Sequence, residues 1–174
     1  MLKYLCVLTG AIVLSGCATD FEANMRKAYG EPVSEPKNGE RARIRAWNAG
    51  FPTYVDQNVC GDRPDLPFGI FIKGPPIVPK YIPYMNRSIG MPQGTVDLSP
   101  GAWGEMYIRA DQQVAVIADS SPILWRPCRT TLYFKPEPNR DYEFRMESCN
   151  LQTFDITGGN IKPIQLSTEK LPCN

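Results

Sequence analysis

The sequence predicts an all-β chain: an antiparallel β-sandwich of seven to eight short strands with a long proline-rich loop. Three observations lead there. Beyond residue 40, apolar side chains recur at every second position in short runs, the period of a strand with one buried face. Turn-forming residues separate those runs, and Gly 14 with Pro 17 among 174 residues is a dense set of helix breakers. No helical period is visible in the same region, which leaves packed sheets as the layer architecture. Hydrophobic residues at 43% and charged residues at 21% supply a packed core rather than disorder.

The first element is a leader. Residues 1–16, MLKYLCVLTGAIVLSG, carry Lys3 and then an apolar run ending in small residues. That is the layout of a secretory signal peptide, too short to span a membrane comfortably. Leu14-Ser15-Gly16-Cys17 resembles the lipobox of bacterial lipoproteins. The resemblance implies cleavage before Cys17, a diacylglycerol on its sulfur, and acylation of the new amino group by a chain such as palmitate. Ala18 rather than Asp follows Cys17, which in such lipoproteins implies the outer membrane of a Gram-negative cell, facing the periplasm. Acyl chains contribute ~0.8 kcal/mol per buried CH₂, so two or more anchor the chain without a spanning helix. Cleavage leaves 174 − 16 = 158 residues with 19 − 1 = 18 basic against 18 acidic side chains. This neutrality argues against a nucleic-acid partner, which calls for a basic surplus.

Residues 17–40 read as the lipidated cysteine and a tether. Phe21, Met25, Ala28 and Tyr29 fall at helical spacing, but Pro32 and Pro36 stop any helix. A flexible spacer of this length reaches on the order of 25 Å. The folded domain is expected over 41–174.

Its strands follow in order. Arg41-Ala-Arg-Ile-Arg-Ala46 alternates, so Ala42, Ile44 and Ala46 face the core while the three arginines face water. Such an arginine face suits phosphate or lipid headgroups, though pairing with acidic neighbours explains it more simply. Residues 54–60 and 68–72 are weaker strands, the second broken by Gly69. Residues 104–109 and 113–118 form a pair across the turn at 110–112. Residues 129–135 and 141–147 read as one hairpin, with Leu132 and Phe134 beside Phe144 and Tyr142. Residues 151–156 and 161–166 flank the turn Gly158-Gly159-Asn160, and Pro163 makes the last strand an edge. Short strands joined in this way fit an immunoglobulin- or transthyretin-like sandwich.

Cys6 leaves with the leader and Cys17 takes the lipid. Cys60, Cys128, Cys149 and Cys173 remain, an even set suited to an oxidising compartment. No C-x-x-C spacing suggests zinc or a redox pair, so two structural disulfides are expected. Cys128 and Cys149 flank the presumed hairpin, which favours their pairing once a bulge or frayed end is allowed, with Cys60 then joined to Cys173. Cys60 with Cys128 and Cys149 with Cys173 is also sterically open.

Residues 63–103 hold eight of the 17 prolines, interleaved with Phe68, Phe71, Tyr81, Tyr84, Met85 and Trp103. Pre-ordered loops bearing aromatic and methionine side chains suit an interface, so these six residues are the candidate partner surface. The competing explanation is a loop folded over the open end of the sandwich, burying the same side chains.

Catalysis finds little footing. With no histidine, the imidazole base, the Ser-His-Asp triad and the commonest metal ligand are absent. Asp141, Glu143, Arg145 and Glu147 share one strand face, spaced ~6.8 Å apart. On an exposed face, pairing with Arg129 or Lys135 across the hairpin explains them better than an acid-base dyad. Ser120-Ser121 lacks a G-x-S-x-G context, and Gly158-Gly159 lacks the strand-to-helix setting of a phosphate loop. Trp47, Trp103 and Trp125 could stack sugars, but core packing is their ordinary role. No cofactor and no metal site are expected.

The mature part resembles small proteobacterial outer-membrane lipoproteins of unassigned function. The likeness rests on Arg41-Ala-Arg-Ile-Arg-Ala46, on Arg87-Ser-Ile-Gly-Met-Pro92, and on Phe134-Lys-Pro-Glu-Pro-Asn-Arg-Asp-Tyr-Glu143 between Cys128 and Cys149. It implies a lipid-anchored sandwich and carries no activity with it. The expected function is a non-catalytic binding or scaffold module for another envelope protein. The alternative is an inhibitor or immunity-type lipoprotein that blocks a periplasmic enzyme.

Overall fold

A computed structural model describes residues 31–48, 52–61, 69–72, 83–96, 98, 103–119, 128–147 and 149–173. Among them run nine strands: β1 (Arg41–Asn48), β2 (Thr53–Asp56), β3 (Gly69–Ile72), β4 (Trp103–Arg109), β5 (Val114–Asp119), β6 (Arg129–Phe134), β7 (Asp141–Glu147), β8 (Asn150–Asp155) and β9 (Lys162–Pro163). A single 3₁₀ turn, Thr157–Gly159, links β8 to β9, with Gly158 and Gly159 at positive φ as the expected turn requires. The strands build two sheets, ordered β4-β1-β7-β8-β9 and β3-β2-β5-β6, and the chain is a β-sandwich.

Pairing departs from the two hairpins expected for 104–118 and 129–147. β4 and β5 lie in different sheets, as do β6 and β7. β4 instead runs antiparallel to β1, with Met106 opposite Ile44. β7 runs parallel to β1, placing Phe144 opposite Ala46, so the first sheet is mixed rather than purely antiparallel. β5 lies between β2 and β6. The physical reason is burial. A hairpin within one sheet leaves both apolar sets on one face, still needing a cover; folding the second strand onto the opposite sheet lets the two sets bury each other. Phe134 therefore meets Tyr142 and Phe144 across the interior, with ring centroids 5.2 and 5.5 Å apart.

In an immunoglobulin constant domain the first strand pairs with the second. Here it lies between the fourth and seventh, an order different from that of an immunoglobulin constant domain. Ile44, Ala46, Met106 and Phe144 from one sheet pack with Val55, Phe71, Val116 and Phe134 from the other.

The folded unit starts at Pro32 rather than at Arg41. Val33 is 1% exposed, and its amide donates to the Ile70 carbonyl at 3.0 Å. The last part of the supposed tether thus covers the edge of β3, where a free row of backbone groups would invite foreign strands. The other edges are treated alike. Met85 bridges Gly104 on β4, Ser167 bridges Tyr133 on β6, and β9 is two residues ending in Pro163.

Cys60 is bonded to Cys173 and Cys128 to Cys149, with Cα separations of 5.7 and 5.8 Å. The second bridge joins the two sheets, since Cys128 precedes β6 and Cys149 precedes β8.

Candidate functional site

The densest polar constellation lies on the outer face of the first sheet. Odd-numbered residues of β1 point outward there, and the register sets Arg45 between Glu105 on β4 and Glu143 on β7. Residues 87–96 cross this face as a strap and seal it. Arg45 is 1% exposed and Glu105 and Glu143 are 0%. The expectation that all three arginines of β1 face water therefore holds for Arg41 but fails for Arg45. Asp141, at 2%, and Glu143 are likewise buried rather than solvated. Alternation assigned these side chains correctly to the outer face; the strap then removed that face from water.

Arg45 Nε and Nη2 donate to Glu105 Oε1 at 2.9 and 2.6 Å, and Nη1 donates to Glu143 Oε2 at 3.1 Å. Nη2 also donates to the Pro92 carbonyl at 2.9 Å. The other oxygens hold the strap directly. Glu105 Oε2 accepts from the Ile89 amide at 2.6 Å and from Ser88 Oγ at 3.2 Å. Glu143 Oε1 accepts from the Thr95 amide at 2.8 Å and from the Thr95 hydroxyl. Gly94 passes over the Arg45–Glu143 pair so closely that any Cβ there would collide with the Glu143 carboxylate. One row lower, Arg43 clamps Asp141 with two hydrogen bonds of 2.6 and 2.9 Å and donates to the Gly90 carbonyl at 3.1 Å. That hydrogen bond to Asp141 holds the Arg43 guanidinium above its ordinary value, against the opposing effect of burial.

Every carboxylate oxygen of Glu105 and Glu143 is thus used in binding backbone, hydroxyl or guanidinium groups of the same chain. Such an arrangement fixes a loop on a sheet and leaves no oxygen open to abstract or deliver a proton. Nor do Asp141 to Glu147 pair across a hairpin with Arg129 or Lys135. Arg129 meets Asp119 at 3.5 Å, because β6 belongs to the other sheet. No group of three or more metal-ligating side chains occurs among the described residues.

Of the six residues of the expected partner surface, Phe68 and Tyr81 lie outside the described residues, as does Cys17. Phe71 is 0% exposed, Tyr84 5% and Trp103 7%, and half-buried Met85 packs against the core. The correction is physical: Phe71 and Tyr84 stack edge-on at 5.6 Å, and Tyr84 Oη donates to the Val33 carbonyl at 2.6 Å. These rings seal the edge of the sandwich and offer nothing to a partner.

Sequence reasoning missed Arg45, Glu105, Glu143, Ser88, Gly94 and Thr95 as one unit. The available signal was opposite charge at outward positions of three strands, readable only once β1 is known to lie between β4 and β7.

Two cavities bounded by described residues open elsewhere. One, of about 410 Å³, is lined by Arg41, Arg43, Tyr107 and Asn139 among others, with the Arg41 guanidinium 4.6 Å from the centre of the Tyr107 ring. The other, of about 250 Å³, lies beside the Cys60–Cys173 bridge. No protein-family model, curated protein or solved structure matches the chain.

Proposed function

We propose that the chain is a lipid-anchored, non-catalytic binding or scaffold module of the outer membrane, facing the periplasm and engaging another envelope protein. The observation that carries this reading is the pair of disulfides closed on a sandwich that follows a lipobox-like segment ending in Cys17. Disulfides persist in oxidising compartments, and a lipidated cysteine gives such a domain its place at a membrane surface. The strap chemistry supports the non-catalytic part. The conspicuous buried acids, Glu105 and Glu143, spend their oxygens on Arg45 and on the strap.

Cross-linking in intact cells, followed by purification of the tagged chain, tests this proposal. A dominant protein partner with the wild type, lost together with membrane association in Cys17→Ser, is the expected result. Absence of any partner, or unchanged membrane association of Cys17→Ser, would overturn it.

A further inference from the structure

Residues 32–36, Pro-Val-Ser-Glu-Pro, open the folded unit and join the end strands of the two sheets. On the β3 side the Val33 amide donates to the Ile70 carbonyl at 3.0 Å. On the β4 side Glu35 Oε1 accepts from the Tyr107 amide at 2.8 Å. Three side chains hold the segment between these points. Tyr84 Oη donates to the Val33 carbonyl at 2.6 Å, Gln57 Nε2 donates to the Ser34 carbonyl at 2.7 Å, and the Arg87 guanidinium clamps both oxygens of Glu35 at 3.0 and 3.2 Å. Gln57 is 1% exposed, and its amide oxygen accepts from the Arg109 amide at 2.8 Å, so this buried side chain is spent on tying the segment to β4.

The seat beneath the segment reads an extended chain. Ile70, Tyr84 and Gln57 bind its backbone, the core cluster of Phe71, Ile72 and Tyr84 takes the Val33 side chain, and Arg87 takes a carboxylate two residues on. Sheet edges take added strands in this way, backbone hydrogen bonds giving affinity and alternate side chains giving specificity. The segment itself is held less deeply than a strand. Only Val33 and Pro36 are buried, and residues 37–40, all exposed, lead to β1 through Gly39 at φ 88°. Few buried apolar side chains and an exposed hinge mark a part that opens without global unfolding. Its prolines keep it extended when released, so little order is lost on leaving or regained on return.

We propose that residues 32–36 are a releasable clasp over a strand-accepting groove, and that the groove's partner is an extended protein segment bearing a small apolar residue followed two positions on by Asp or Glu. Charge complementarity sets the second requirement, because release of Glu35 leaves Arg87 without its carboxylate. With the clasp seated, the Phe71 and Tyr84 rings are sealed; its release bares the Ile70 carbonyl, the Tyr84 hydroxyl and the Gln57 amide together. The groove names the kind of partner that a binding module takes, and so rests on that reading.

The test uses the purified full-length chain in detergent and a fluorescent peptide with the sequence of residues 31–37, Glu-Pro-Val-Ser-Glu-Pro-Lys, so its failure is separate from that of cross-linking in cells. A chain carrying both Val33→Asp and Glu35→Lys keeps the groove but disables the clasp, and is expected to bind the peptide saturably. The wild type is expected to bind about tenfold or more weakly than that variant, since its own clasp competes at high effective concentration. A peptide carrying Glu35→Lys is expected to lose binding to the disabled chain. Hydrogen exchange on the wild type gives a second measurement that does not need the variant to fold: the Val33 amide should exchange about tenfold or more faster than the amides of β1. No binding by a folded disabled chain, equal binding by the wild type, indifference to the peptide's acid, or Val33 exchange as slow as that of β1 would each overturn the proposal.

Discussion

Replacing Arg45 by methionine removes the cation from beneath the strap while keeping most of the aliphatic volume. Five hydrogen bonds are lost: two to Glu105, one to Glu143, and one each to the carbonyls of Met91 and Pro92. What remains is two fully buried carboxylates without their shared counter-charge. Breaking a buried pair in this way costs ~3–5 kcal/mol, mostly as the penalty of an uncompensated charge. That is a large share of the ~5–15 kcal/mol that holds most domains together.

Urea unfolding at pH 7, with disulfides intact, measures this directly. A deficit below ~1 kcal/mol, the value of an exposed pair, would refute the reasoning.

Gly94→Ala places a methyl group against the Glu143 carboxylate and 2.8 Å from Arg45 Nη1, so the strap must lift. An overpacking loss of ~1–3 kcal/mol is expected, with faster hydrogen exchange at the Ile89 and Thr95 amides; unchanged exchange would contradict it. The disulfides should differ in value because they close loops with sequence separations of 113 and 21. Chain entropy gives about 5 kcal/mol for Cys60–Cys173 and about 3 for Cys128–Cys149, to be compared by denaturant midpoints of the two double serine variants. Tyr84 is pushed up to about 12, by burial first and by the Glu35 carboxylate second. Its folded value lies above the unfolded 10.0, so its contribution to stability is full below pH 10 and is lost as pH rises toward 12. Absorbance titration of Tyr84→Phe against wild type should remove one late-titrating tyrosine, and loss of an early one would contradict the assignment.

Much of the local structure was legible in the chain. Alternation located the strands to within a residue or two at β1, β4, β5, β6 and β7, because the period of a half-buried strand is written in consecutive side chains. The glycines after Thr157 and the edge-marking Pro163 were readable for the same local reason. The favoured disulfide pairing is the observed one, yet the hairpin offered as its reason does not exist. Cys128 and Cys149 meet because two sheets face each other, not because two strands pair.

Which strands share a sheet depended on contacts between residues far apart in the chain. Ile44 is opposite Tyr142 at a separation of 98 residues, and no local pattern distinguishes that parallel neighbour from a hairpin partner. The fate of the arginines of β1 shows the same limit. Arg41, Arg43 and Arg45 occupy equivalent positions in the alternation, so the sequence by itself determined only that all three leave the core between the sheets. Tertiary structure decided which are covered. A strap crosses the outer face, its amides need acceptors, and Glu105 and Glu143 can supply them without water only because Arg45 lies between them to balance their charge.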